Sequence, residues 1–331
     1  MALLEVKDLS VRFTRREGAP VDAVQRVSFS LEAGRTLGIV GESGSGKSQT
    51  VMALLGLLAG NGKVSGAATY RGENLLTMSE AELNKIRGDR IGMIFQDPMT
   101  SLNPFLTIER QMTETLQLHR GMSRREARRR AIETLETVRI PDAARRIDMY
   151  PHEFSGGMRQ RVMIAMALLS EPEVLIADEP TTALDVTVQA QIIELLRELN
   201  RERGTAIILI THDMGVVAGL CDDVMVMYAG QTVEQANAAT LFAAPTHPYT
   251  IGLLNALPRL TDDDDRPLQT IPGNPPLPGE VGEGCAFAPR CTYCSDRCRE
   301  SRPALTASPI AAGALRACHR PVRDIIEVQH V

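Results

Sequence analysis

Gly41-Glu42-Ser43-Gly44-Ser45-Gly46-Lys47-Ser48 fits the pattern G-x-x-x-x-G-K-[ST], and it does so once in the chain. Glycines at these spacings let successive backbone N–H groups turn inward around phosphate oxygens. Lys47 then reaches the β- and γ-phosphates of a nucleotide, and the Ser48 hydroxyl binds Mg2+. A short apolar run, 36–40, leads into the stretch, and an apolar helical pattern, 47–58, follows it. Strand, glycine-rich turn and helix in that order make one unit of an α/β fold. The bland alternative is a chance Gly/Ser turn, which has no need of a strand before it and a helix after it.

Working outward, residues 174–177 are apolar and carry Asp178 and Glu179 at their end. Ligands bind at the C-terminal ends of strands in such sheets. Asp178 would hold Mg2+, directly or through water, and Glu179 would act as general base on the attacking water. Taken alone, the pair is equally a solvated start to a turn before Pro180. Residues 206–210 are another apolar run, as in strands buried on both faces of a parallel sheet, and 224–228 is a shorter one. Between the first two of these, 188–199 is amphipathic. Near the N-terminus, 4–13 and 24–31 alternate apolar and polar residues, as half-buried strands do. Helices are expected over 79–87 and 107–140, the second with an Arg-rich face at Arg124, Arg125, Arg128, Arg129 and Arg130. That face is most simply solvated and supported by Glu126 and Glu133.

The chain has 331 residues, 44% hydrophobic and 23% charged, with a formal net charge of −5. This is an ordinary globular mix, long enough for two domains or one domain with an appendage. Nothing in the charge resembles a nucleic-acid footprint. The longest apolar runs, 51–59 and 162–169, fall well short of the roughly 18 residues that span a bilayer. The N-terminus lacks the layout of a signal peptide, so the chain is expected in the cytosol. After about residue 258 the texture changes: seven prolines fall in 258–289, and Asp262–Asp265 is a run of four acids. A boundary is expected near 235–260. Five of the six cysteines fall in the last 47 residues, and in a reducing compartment that crowding favours a metal over disulfides.

Phe154-Ser155-Gly156-Gly157-Met158-Arg159-Gln160 narrows the class. Ser155 and the glycine N–H groups at a helix N-terminus suit an anion, although a serine N-cap alone gives the same pattern. The segment resembles the signature motif of ATP-binding cassette (ABC) proteins, with Phe154 for Leu and Met158 for Gln. Other positions follow in family order. Gln96 resembles the Q-loop glutamine, 183–185 (Ala-Leu-Asp185) the D-loop, His212 the switch histidine, and Phe13 the aromatic that stacks on adenine. A strand-end aromatic such as Phe13 is as often simply core.

The resemblance implies an α/β fold of ABC type: a RecA-like core, an antiparallel β subdomain and a helical subdomain at about 97–160, all within 1–257. A loop-rich C-terminal extension follows at 258–331. It further implies an ATP site built from Phe13, Gly41, Ser43, Gly44, Ser45, Gly46, Lys47, Ser48, Gln49, Gln96, Asp178, Glu179 and His212. Mg2+ falls to Ser48, Gln96 and Asp178. Ser155, Gly156, Gly157 and Asp185 would meet nucleotide held by a second ATPase subunit, in a heterodimer or a homodimer.

Residues 94–104 (Ile-Phe-Gln-Asp-Pro-Met-Thr-Ser-Leu-Asn-Pro) and 246–250 (Thr-His-Pro-Tyr-Thr) resemble the importers of oligopeptides, dipeptides and nickel. Here the resemblance implies ATP-driven peptide import through two transmembrane permease subunits, fed by an external binding protein. It places the chain peripherally on the cytoplasmic face of the inner membrane, away from nucleic acid. Nickel, glutathione or another small solute is the alternative cargo. A soluble ABC ATPase acting on nucleic acid or ribosomes is the competing class.

Thiolates at Cys285, Cys291, Cys294, Cys298 and Cys318, beside His319, suit zinc or an iron–sulfur cluster. The family resemblance favours a [4Fe–4S] cluster on Cys285, Cys291, Cys298 and Cys318. Zinc, with Cys294 or His319 as a ligand, is the alternative, and buried structural thiols are the bland one. Cys221 is expected in the core.

Overall fold

The computed structural model describes residues 2–97, 101–182, 184–257, 270–277 and 279–326. The Pro98–Thr100 part of the Q-loop stretch, Ala183 of the D-loop stretch and the acidic run 262–265 lie outside these residues. The chain forms two compact units. One is made of Ala2–Ser30, Leu37–Leu76 and Thr211–Val331, the other of Leu31–Thr36 and Thr77–Ile210.

The first unit opens with strands β1 (Ala2–Phe13), β2 (Val21–Glu32) and β3 (Thr36–Val40), helix α1 (Lys47–Leu54), and strands β4 (Gly62–Tyr70) and β5 (Glu73–Asn74). An antiparallel sheet runs in the order β2-β1-β4-β5. Alternation in β1 puts Leu4, Val6, Leu9 and Val11 in the core. The register pairs Leu4 with Tyr70 and Phe13 with Gly62, and a bulge between Lys7 and Ser10 puts Asp8 at φ 49°. Helix α1 is shorter than its apolar pattern. Gly56 takes φ 62° and Leu57 N–H returns to Met52 O at 2.9 Å, a left-handed stop that an apolar count does not show.

In the second unit, α2 (Glu80–Ile86) starts from a capping box of Ser79 and Glu82. Strand β6 (Ile91–Ile94), helices α3 (Ile108–Arg120), α4 (Arg124–Thr137), α5 (Ala143–Arg146) and α6 (Gly156–Leu168), strand β7 (Val174–Asp178), helix α7 (Val186–Arg203) and strand β8 (Ala206–Thr211) follow. β6, β7 and β8 pair in parallel, Ile91 with Val174 and Val174 with Ala206. Where 107–140 reads as one helix, the chain makes two. Gly121 closes α3 in the left-handed region at φ 62°, and Ser123 with Glu126 caps α4 anew. The arginines on α4 are more engaged than a solvated face requires. Arg124 pairs with Glu109 (3.1 Å), Arg128 forks onto Asp148 (2.6 and 2.8 Å), and Arg130 meets Glu171. Glu133 supports Arg129 and Arg130, at 3.8 and 3.9 Å, while the Glu126 carboxylate closes the cap and feels Arg129 only through space.

The chain then returns to the first unit with α8 (Met214–Leu220), β9 (Asp223–Tyr228), β10 (Gln231–Asn237), α9 (Ala238–Ala243) and α10 (Pro248–Asn255). Beyond these lie α11 (Asp296–Glu300), β11 (Thr306–Ala307), β12 (Leu315–Arg316) and α12 (Val322–Ile326). β3 runs parallel to β9, and β9 turns through Ala229-Gly230, both at positive φ, into antiparallel β10. β12 and then β11 extend this sheet antiparallel from β10.

Buried Glu234 on β10 accepts from Thr246 N–H (2.6 Å), Thr246 Oγ1 (2.5 Å) and His247 N–H (3.1 Å), which fixes the start of α10. His247 caps that helix, its Nδ1 accepting from Tyr249 N–H at 3.1 Å. Burial, with Arg316 nearby, lowers the imidazole to about 3. The folded chain thus holds His247 neutral, while the unfolded chain takes up a proton below about pH 6.5. This contribution is intact above that pH and fades as pH falls toward 3, by about 2 kcal/mol between pH 7 and pH 5. His247→Asn retains an N-cap acceptor. Thermal melts at pH 7 and pH 5 should therefore show a smaller acid-induced drop in Tm for this variant than for the parent.

Candidate functional site

The phosphate loop lies within the first unit. β3 is buried at all five residues, and the loop leaves it through Gly41 at φ 151°. A Cβ at Gly41 would overlap the Met227 carbonyl, and one at Gly46, φ 96°, would overlap the Ala23 carbonyl. Lys47 is 5% exposed, and its Nζ donates to Gly41 O (2.7 Å) and Glu42 O (3.0 Å). Ser43 and Gly44 are exposed, Ser48 and Gln49 half-buried. The buried Ser45 hydroxyl finds no hydrogen-bond partner among the described residues. A cavity of about 660 Å3 opens beside Gly44, Gly46 and Gln49, walled by Ala23, Leu277 and Arg302. A glycine cradle, an unspent buried hydroxyl and a cavity of this size fit a nucleotide's phosphates. Phe13 is half-buried and packs over Gly62, where a Cβ would stand 2.9 Å from its ring. His212, just past β8, is exposed.

The second unit gathers the acids. Asp178 ends β7 and is buried. Glu179 follows at φ 46°, a left-handed conformation uncommon outside glycine, and its N–H is held by Ile210 O at 2.9 Å. Glu179 Oε2 accepts from Gln96 Nε2 (3.0 Å) and from Thr182 Oγ1 (2.8 Å). Gln96 and Glu179 are thus brought together. Thr182 had no separate signal, since a threonine three residues past a strand end is unremarkable in sequence.

Ser155 caps α6, its Oγ accepting from Met158 N–H at 3.4 Å. Phe154, the first departure from the signature motif, is a buried apolar residue. Gln160, one turn into α6 and buried, donates to Pro180 O at 2.6 Å. The signature helix is thereby tied to the turn that carries Glu179. Asp185 caps α7 through Val188 N–H at 2.9 Å.

Cys285, Cys291, Cys294 and Cys298 border one cavity of about 500 Å3. Cys285 N–H bonds to Cys298 O at 2.8 Å, so the stretches on either side of the cavity are joined. Burial raises the Cys285 thiol and pushes Cys291 up to about 12, with Cys318 among the neighbouring groups that add to both. Cys294, not Cys318, completes the four that line the cavity. Among the described residues no three His, Cys, Asp or Glu side chains are arranged to hold a metal ion. His319 Nε2 is within 2.9 Å of Ser301 O, so that nitrogen is engaged with the backbone. Cys221 is buried, as expected.

One contact joins the C-terminal region to the phosphate loop. Arg290, 7% exposed, forks onto the Glu42 carboxylate with Nη1 at 2.6 Å and Nη2 at 3.0 Å, and Tyr249 Oη accepts from Glu42 N–H at 2.8 Å. The carboxylate holds the guanidinium above its usual range. Glu42 stands at an unspecified position of the phosphate-loop pattern and Arg290 in no motif, so nothing in sequence pairs them.

Comparison with known proteins agrees with this geometry. Residues 24–182 match the ABC transporter family model, and 233–298 match the oligopeptide/dipeptide transporter C-terminal region. The oligopeptide transport ATP-binding protein OppD of Salmonella typhimurium is 57% identical over 98% of this chain and 95% of its own. OppD of Escherichia coli is 58% identical over the same shares, and the dipeptide transport ATP-binding protein DppD of Escherichia coli 50% identical over 98% of both chains. Among solved structures, an ATP-binding cassette dimer in a post-hydrolysis state with ADP and phosphate aligns at TM-score 0.64 and 30% identity, covering 71% of this chain and 98% of that one. Among the described residues no helix is long and apolar enough to cross a membrane. With likeness of this extent across both the cassette and the region beyond it, the chain belongs to the oligopeptide/dipeptide family of ABC transporter ATP-binding proteins.

Proposed function

We propose that the chain is the ATP-hydrolysing subunit of a peptide importer. The observation that carries this is identity of 57–58% to oligopeptide transport ATP-binding proteins across 98% of the chain. In this reading residues 1–257 are the cassette and 258–331 the extension. Lys47 and the backbone of Gly41, Ser43, Gly44, Ser45, Gly46, Ser48 and Gln49 hold the phosphates, and Phe13 stacks on adenine. Ser48, Asp178 and Gln96 take Mg2+, which neutralises phosphate charge. Glu179 orients and deprotonates the attacking water, and His212 touches the γ-phosphate. Two donors on Glu179 Oε2 support this role, since they fix the carboxylate before substrate arrives.

Ser155, Gly156, Gly157 and Asp185 serve the nucleotide of a second, related ATPase subunit. The partners are two membrane permease subunits, docked on the helical region 97–150, with a solute-binding protein on the far side. The chain works peripherally at the cytoplasmic face of the membrane. Di- and oligopeptides are the cargo.

The cysteine region takes a [4Fe–4S] cluster on Cys285, Cys291, Cys298 and Cys318. Support comes from Cys285, Cys291 and Cys298 bordering one cavity of about 500 Å3, and from Cys318 standing near enough to raise the Cys285 and Cys291 thiols. A single zinc ion would instead draw its sulfurs to about 2.3 Å from one point. The role of the group is structural: it ties the turns around residue 291 together.

Three results test these assignments. Glu179→Gln should keep ATP binding while hydrolysis by the assembled transporter falls by about 10²-fold or more, the usual worth of a general base; retained turnover removes the base assignment. Vesicles containing the permeases and both ATPases should accumulate labelled di- or tripeptide on ATP addition, whereas uptake of nickel alone moves the cargo assignment. Protein purified without oxygen should be brown and bleach on Cys298→Ser, and a colourless preparation carrying one zinc would replace the cluster.

A further inference from the structure

Glu42 fills a position that the G-x-x-x-x-G-K-[ST] pattern leaves unspecified, yet it is gripped at both ends. Tyr249 Oη takes its N–H at 2.8 Å, and Arg290 forks its carboxylate at 2.6 and 3.0 Å. Arg290 is fixed in turn. Its Nε donates to Pro272 O (2.9 Å) and its Nη1 to Tyr228 Oη (3.3 Å), and the guanidinium carbon lies 5.8 Å from the Tyr228 ring centre. Tyr228, Tyr249 and Phe287 pack on one another with ring centres 4.6 to 5.4 Å apart. A forked, nearly buried guanidinium with this many partners has little freedom to drift.

The carbonyl of the same Glu42 accepts from Lys47 Nζ at 3.0 Å and from Ser45 N–H at 3.2 Å. A shift of Glu42 therefore moves one anchor of the ammonium and the middle of the loop together. Arg290 also closes the turn Ala288–Arg290 and directly precedes Cys291, so it ties the cysteine-bearing region to the loop through one side chain.

We propose that Arg290 is a positioning residue for the nucleotide: its fork on Glu42 sets the Glu42 carbonyl, and through it Lys47, making nucleotide affinity depend on the C-terminal region. This rests on Lys47 meeting the phosphates. A purely mechanical staple would instead lower the melting temperature and leave affinity alone.

The test is equilibrium binding of a fluorescent ATP analogue with Mg2+ to the full chain, well below each variant's Tm. Arg290→Met should weaken binding about tenfold, equal to about 1.4 kcal/mol. Arg290→Lys, which keeps the charge without the fork, should fall between that variant and the parent. Glu42→Gln should weaken binding comparably, and the double variant should be no worse than either single one, because both remove one interaction. Affinity within twofold of the parent in folded Arg290→Met, or additive losses in the double variant, overturns the proposal. Should Arg290→Met not fold, Glu42→Gln and Arg290→Lys decide in the same way: weaker binding supports the proposal and unchanged binding overturns it. Lys47→Ala is the control. Full binding there would remove the reading of the loop itself, whereas lost binding there with unchanged Arg290 variants removes only the present proposal.

Discussion

A loop that turns its N–H groups inward to meet an anion must press the rest of its backbone against its surroundings. That constraint organises the first unit. At Gly41 and Gly46 the neighbouring carbonyls of Met227 and Ala23 leave no room for a side chain. The positions of β9, which carries Met227, and of β2, which carries Ala23, are thus fixed relative to the loop by backbone contact. Parallel pairing of β3 with β9 sets one wall and the turn at Ala229-Gly230 another, where Gly230 N–H bonds to Ser45 O at 2.9 Å. Lys47 folds back onto its own loop, so the cation sits buried at the mouth of the helix before any nucleotide is considered.

The second unit solves a different problem: holding a carboxylate at a strand end in an unfavourable backbone conformation. Glu179 at φ 46° carries strain of order 1–3 kcal/mol. Ile210 O holds its amide, Gln96 and Thr182 hold its side chain, and Gln160 anchors the following proline's carbonyl. Strain kept in place by this many bonds belongs to a site whose geometry is set in advance. The same bonds bring Gln96, the end of β7 and α6 onto one turn.

Much of this was legible in the sequence where a residue type has one physical use. The glycine spacing of the loop, the fully buried β7 and β8, and the serine cap of α6 were read to within a residue or two. What escaped was long-range or conformational. The apolar pattern over 107–140 runs through Gly121, and only its left-handed φ shows the break. Glu126 looked like a partner for the arginines because helical spacing is visible, whereas the carboxylates that meet several of them, Glu109, Asp148 and Glu171, lie outside α4. Cys294 and Cys318 could not be ranked by spacing, because which thiols face one cavity depends on turns that spacing does not encode. The Arg290–Glu42 pair joins residues 248 positions apart, and the phosphate-loop pattern leaves the residue type at position 42 unspecified.

The two-residue strands β12 and β11 have a consequence for handling the protein. They occupy the hydrogen-bonding side of β10 that would otherwise be an open sheet edge, and they end the sheet in strands only two residues long. Very short terminal strands are one way in which sheets avoid recruiting further strands from other molecules. A cassette trimmed of its last residues would thus bare the edge of Gln231–Asn237 and invite intermolecular pairing. Loss of solubility in such a fragment would report an uncapped edge rather than any defect in nucleotide chemistry.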